Sequence, residues 1–180
     1  MSYGIFGESL RVQKPVKHKV FLSYHHRRDQ RYYDAFSQAF HDTYDVIYDN
    51  SLEREVDSDD VDYVMRRIRE NYITGSSCTI VLVGAETWGR KYVDWEIKAT
   101  LDKEHGLIGV RLPTAARDPK DNKVIVPGRL HDNIQSGFAV WRSWEDITAS
   151  PGQLERLVAD AKSRSCKLIV NTRDRRLRNA

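Results

Sequence analysis

Apolar positions along this chain fall into two alternating rhythms. Short continuous runs, Val20-Phe21-Leu22-Ser23-Tyr24, Asp45-Val46-Ile47-Tyr48-Asp49, 78–83 and 107–112, read as strands. Between and after them apolar residues recur three or four apart: Tyr33, Phe36 and Phe40; Val61, Val64, Met65, Ile68 and Tyr72; Val93, Ile97 and Leu101; Leu154, Leu157, Val158 and Ala161. That spacing puts each set on one helix face. Strands alternating with amphipathic helices predict a parallel sheet with helices on both faces.

Local signals place the ends. Ser58 precedes Asp59, Asp60 and Asp62, a cap followed by carboxylates where the helix dipole favours them. Gly106 is expected to end the helix at roughly 90–104, and Ser150-Pro151-Gly152-Gln153 reads as a cap, a first-turn proline and a reciprocally capping Gln. Residues 113–137 show no sustained period and hold Pro119, Pro127 and Gly128, so they are predicted to be a long loop, functional or mobile. Phe138-Ala139-Val140-Trp141 fits a fifth strand, and 167–170 fits either a last strand or a helix extension.

At 180 residues, 40% apolar and 31% charged, the chain suits one well-buried domain rather than two. A flexible arm over 1–17, a domain over 18–165 and a basic segment over 166–180 are expected. The formal charge of +3 comes largely from the two ends, which read as solvated tails rather than a nucleic-acid surface. No run approaches the roughly 18 apolar residues of a membrane span, and the start lacks a signal-peptide pattern, so a cytoplasmic protein is expected. Cys78 and Cys166 have no metal spacing, the adjacent His25 and His26 make a poor chelate, and no metal site is expected.

Candidate chemistry gathers at the carboxyl ends of the strands, where open α/β sheets bind ligands. The third run ends in Gly84, and the helix that follows carries Glu96 on the flank of the Val93-Ile97-Leu101 stripe, one turn from Tyr92. The alternative is a surface Glu paired with Lys98, Lys103 or Arg90. Trp95 falls almost opposite that stripe, to be covered by another segment such as the 113–137 loop or offered to a partner, which makes self-assembly through this face a candidate. After the first strand, Ser23 to Arg28 cluster on the same sheet edge, where arginines suit a pyrophosphate, or else form a solvated turn balanced by Asp29. There is no Gly-rich phosphate loop, Walker motif or nucleophile elbow, which argues against ordinary Rossmann, P-loop and hydrolase readings.

Together, Val20-Phe21-Leu22-Ser23-Tyr24-His25, Tyr48-Asp49-Asn50-Ser51-Leu52, the stretch 74–84 and Tyr92-Val93-Asp94-Trp95-Glu96-Ile97 resemble a TIR-like domain, nearest to the TIR-like subunits of the bacterial Thoeris anti-phage system. The resemblance spans roughly 18–160 and implies a flavodoxin-like α/β fold. Enzymatic TIR domains cleave the nicotinamide-ribose bond of NAD with a glutamate on the helix after the third strand, a position that matches Glu96. The wider family pattern has Trp-Cys where this chain has Tyr92-Val93.

The resemblance implies NAD as substrate rather than cofactor, Glu96 as the catalytic residue, and Ser23, His25, Arg28, Asp49, Ser51 and Tyr92 as substrate-binding candidates. The product is ADP-ribose if water attacks the ribose, or a cyclic isomer if the same molecule's adenine or a ribose hydroxyl does. A cyclic product would signal to a separate effector protein. Two other readings stay open: a non-catalytic TIR-like assembly or sensor module working through Trp95 and the long loop, and a flavodoxin-like receiver that binds a nucleotide without cleaving it.

Overall fold

In the computed structural model, which describes residues 18–48 and 61–180, the apolar runs form parallel strands. They are β1 (His18–Ser23), β2 (Tyr44–Tyr48), β3 (Cys78–Val83), β4 (Gly106–Arg111) and β5 (Val140–Ser143). Among the described residues they make one sheet in the order β2-β1-β3-β4-β5. The central strand β3 is buried along its whole length, which is why its sequence is continuously apolar rather than alternating.

The helices divide between the two faces. On one lie α1 (His26–Phe40) and the late helix α6 (Pro151–Ser163), with the short α5 (Trp144–Ile147) beside β5. Phe36, Phe40, Leu154, Leu157 and Val158 join Val20, Leu22, Ile80, Leu82 and Ile108 there in one apolar cluster. Each such side chain removed from water contributes about 1.5–3 kcal/mol. On the other face lie α2 (Val61–Arg67), widening into a π-helical turn at Ile68–Ile73, then α3 (Lys91–Asp102) and α4 (Gly128–Gln135). Here the core is split. Phe21, Val64, Met65, Ile68, Ile73, Trp95 and Ala99 form one cluster. Val81, Val83, Val93, Ile97, Leu101, Leu107, Leu130 and Phe138 belong to another.

β3 has the expected bounds, the other strands differ from expectation by one or two residues, and the predicted buried faces of α1 and α6 are buried. Of the face predicted for α2, Val64, Met65 and Ile68 are buried. The arm 1–17, Asp49, Ser51 and the Ser58 cap lie outside the described residues, as do the side chains of Val61 and Tyr72.

Five expectations are corrected. The stretch 113–137 is not all loop, because α4 lies within it. Its buried face is made by Leu130 together with Arg129 and Asn133, polar residues that hide the helical period. Gly106 does not cap α3: the left-handed position is taken by Glu104 (φ 56), and Gly106 instead opens β4, where an added Cβ would lie 3.1 Å from the α6 backbone. Ser150 caps α6 by accepting from the Gln153 N–H, but the Gln153 side chain turns to Arg156. The reciprocal cap is at α5, between Ser143 and Asp146. Residues 167–170 form neither strand nor helix extension: a single tight turn at Cys166–Leu168 leads into extended chain.

That extended chain is not a solvated tail. Val170 exchanges two hydrogen bonds with the Asn133 side chain, 2.7 and 3.0 Å. Arg129 donates to Asn171 Oδ1 and to the carbonyls of Arg173 and Asp174. The Arg176 N–H donates to Asp94 and its carbonyl accepts from the Trp95 indole at 2.8 Å. Residues 171–180 thus form a strap across α4 and α3.

Candidate active site

Beyond the ends of β1 and β3 the chain turns into α1 and α3, and both turns open on one cavity of about 510 Å³. Its lining is His25, Arg27, Arg28, Glu86, Arg90, Tyr92 and Asn179. The sheet topology dictates this convergence: β1 and β3 are adjacent and parallel, so the segments that leave them meet at the same edge.

His25 and His26 diverge as adjacent residues must. His26 packs on the Tyr24 ring, with centroids 4.4 Å apart. His25 is buried at the cavity, with Nδ1 3.8 Å from Glu86. Glu86 is the charge hub. It accepts from Arg28 Nε at 3.0 Å and from Arg90 in a short contact one helical turn away. Burial pushes its carboxyl up, but the Arg90 hydrogen bond and the charges of Arg28, Arg90 and His25 outweigh this and hold it below the ordinary glutamate value. With Arg27, Arg28 and Arg90 in the lining against the single carboxylate of Glu86, the cavity is positive, suited to an anion with planar, paired acceptors.

Tyr92 is half-buried, edge-on to Trp95 at 5.4 Å, with the Lys91 ammonium over its ring. One turn further along α3, Glu96 is only 6% exposed. It does not line the cavity itself. At about 100° per residue its side chain falls between the Val93-Ile97 stripe and the Trp95-Ala99 stripe, facing the sheet. Thr100, the next residue on that line, donates to the Glu96 carbonyl and meets the Thr79 hydroxyl of β3 at 2.7 Å. The reading of Glu96 as a surface residue is therefore corrected; Lys98 binds Asp102 and Arg90 binds Glu86.

Ser23 ends β1 on the face of Phe21, the face that α3 covers, and is 1% exposed, its Oγ having no hydrogen-bond partner among the described residues. The structure thus gathers His25, Arg28 and Tyr92 at one cavity, while Ser23 and Glu96 are buried and do not line it. Asp49 and Ser51 lie outside the described residues. Glu86 and Arg90 escaped the sequence reading, although their i, i+4 spacing was a signal.

Asp29 does not balance the basic turn in solvent. It is fully buried against Gly84, where an added Cβ would fall 2.3 Å from its carboxylate, and it accepts from Thr87. Burial, partly offset by the Thr87 hydrogen bond, raises its pKa from 3.8 to about 6. Trp95 takes the first of its two sequence alternatives, covered by another segment. It is 2% exposed, and the cover is α2 and the strap rather than the 113–137 loop.

Between α4 and α3, Arg129 is fully buried and forks onto Asp94. Among the described residues no group of three or more His, Cys, Asp or Glu could hold a metal ion, and no helix is long and apolar enough to cross a membrane.

A parallel sheet in this order, with helices on both faces and a cleft at the ends of β1 and β3, defines a flavodoxin-like, TIR-like α/β domain. The family model for the TIR-like domain of Thoeris protein ThsB matches residues 21–117, more than half of the chain, and the chain belongs to that family. No curated protein matches it.

Proposed function

We propose that the protein is a NAD-cleaving enzyme of anti-phage defence. In this reading the pyrophosphate of NAD lies against Arg28 and Arg90, released in part from Glu86, while Tyr92 and His25 border the ribose and nicotinamide. The bond from ribose C1′ to the pyridinium nitrogen breaks, and its electron pair leaves with neutral nicotinamide. The C1′ centre becomes oxocarbenium-like, and the Glu96 carboxylate stabilises that charge. Attack by water, with loss of a proton, gives ADP-ribose; attack by the same molecule's adenine or a ribose hydroxyl gives a cyclic isomer, a signal for a separate effector protein.

The observation that supports this reading best is a carboxylate kept nearly out of water, on the face of α3 toward the sheet, one turn from a ring that lines a positive cavity. Burial makes a carboxylate's charge costly to hold, and buried carboxylates concentrate where chemistry needs them. Membership in the Thoeris family supports the defence setting.

The test is chromatography with mass detection of NAD incubated with the protein at high concentration, with and without phage-infected extract. A product of ADP-ribose mass, or that mass less one water, from the wild type but not from Glu96→Gln is expected. No NAD loss under either condition overturns the proposal and leaves a non-catalytic module.

A further inference from the structure

We infer that Asn179 is a ligand-contacting residue of the cavity, carried there by the 171–180 strap and held ready to donate to a phosphate. The inference rests on the reading of the cavity as a NAD site and adds a contact from outside the family match, which ends at residue 117.

The strap is a fixed wall. Its bonds go to buried side chains: Arg129 and Asn133 are 0% exposed, Trp95 is 2% and Asp94 is 8%. Lifting it would leave the Asn133 amide and the Trp95 indole N–H without those partners in a water-poor layer, a costly outcome. At its far end the Ala180 N–H donates to the Gly89 carbonyl, and Asn179 Oδ1 accepts from the Lys91 N–H at 2.9 Å.

That second bond fixes the side chain's chemistry. A backbone N–H can only donate, so the atom facing Lys91 must be the amide oxygen, which leaves the amide nitrogen with two N–H donors on a residue that lines the cavity. The same residue therefore does two things: it caps the start of α3, the helix that carries Glu96, and it adds neutral donors to a wall already bearing Arg28 and Arg90. The α3 dipole at that point favours the same sign of ligand.

Asn179→Asp separates the two roles. Aspartate keeps an oxygen for Lys91 and suits a helix start at least as well as asparagine, so a purely structural cap would be preserved or improved. As a cavity residue it exchanges donors for a negative charge facing a pyrophosphate. With the full chain, ADP-ribose binding by calorimetry and NAD turnover are measured for wild type, Asn179→Asp and Asn179→Ala, beside thermal melts.

The expected result is an unchanged or raised melting temperature for Asn179→Asp with Kd and KM raised about tenfold, an effect that shrinks in high salt. Asn179→Ala should raise both by a smaller factor. Wild-type Kd and KM in a folded Asn179→Asp overturn the inference while leaving the NAD reading intact. A wild type that neither binds ADP-ribose nor consumes NAD fails before any variant is compared, and overturns both.

Discussion

Beneath α1 and α6 the sheet is sealed by one continuous apolar cluster, from Val20 and Phe36 to Leu157 and Ala161, whereas the opposite face carries two separate clusters with polar groups set between and beside them. Thr79, Thr100 and Glu96 lie in the seam along α3, and Asp94, Arg129 and Asn133 lie where α3 meets α4 and the strap. The first face gains stability from area removed from water. The second gives up part of that gain to fix the direction of α3, and the cavity opens at the start of that helix. The difference teaches where this fold keeps its chemistry: on the side where buried polar groups are tied to one another.

The largest break in the comparison comes from Arg129→Met. It leaves Asp94 buried without its fork and the strap carbonyls without a donor, and should cost about 3–5 kcal/mol in urea denaturation. Adding Asp94→Leu should recover much of that loss, since a satisfied apolar pair replaces an orphaned charge. Faster tryptic cleavage after Arg173 to Arg178 in the single variant would show the strap loosening with it. A single variant of wild-type stability would mean that the ion pair does not hold this side together.

Next in size is a pH effect at the edge between the faces. The Asp29 carboxyl is raised from 3.8 to about 6 by burial, so the folded chain holds that proton more tightly than the unfolded chain does. Its contribution to stability is full at about pH 4 and below, and is lost as pH climbs through about 6, leaving about 3 kcal/mol of destabilisation at pH 7. Asn at this position has no proton to lose. Asp29→Asn should therefore shrink the stability difference between pH 4.5 and pH 7.5; an unchanged difference would show that another group carries it.

On the apolar side the corresponding local change is small. Ser150→Ala removes the acceptor for the Gln153 N–H at the start of α6 and should cost about 1 kcal/mol, with no effect on the cavity. A larger loss, or one that changes ligand binding, would show the two faces to be coupled.

The same contrast governs how much the sequence reveals. Tyr33, Phe36 and Phe40, and Leu154 to Ala161, announce their helices because an apolar face leaves a period in the sequence. The helix Gly128–Gln135 leaves a faint one, because Arg129 and Asn133 occupy its core positions. The strap leaves none: its bonds run to partners tens of residues away and use backbone atoms as often as side chains. His25, Arg28 and Tyr92, expected after β1 and at the start of α3, line the cavity; Glu96, singled out by its place after β3, is buried and does not. Glu86 was hidden because its role depends on Arg28, 58 residues away. Asn179 could be found only once the strap was seen to reach Lys91.

The most direct measurement is a paired one on Glu96→Gln: cooperative unfolding by heat, and nicotinamide released from NAD under the conditions in which the wild type is active. The account predicts a folded variant with cleavage reduced at least about a hundredfold, as expected when the group that stabilises transition-state charge is removed. A folded Glu96→Gln that releases nicotinamide at the wild-type rate would contradict it.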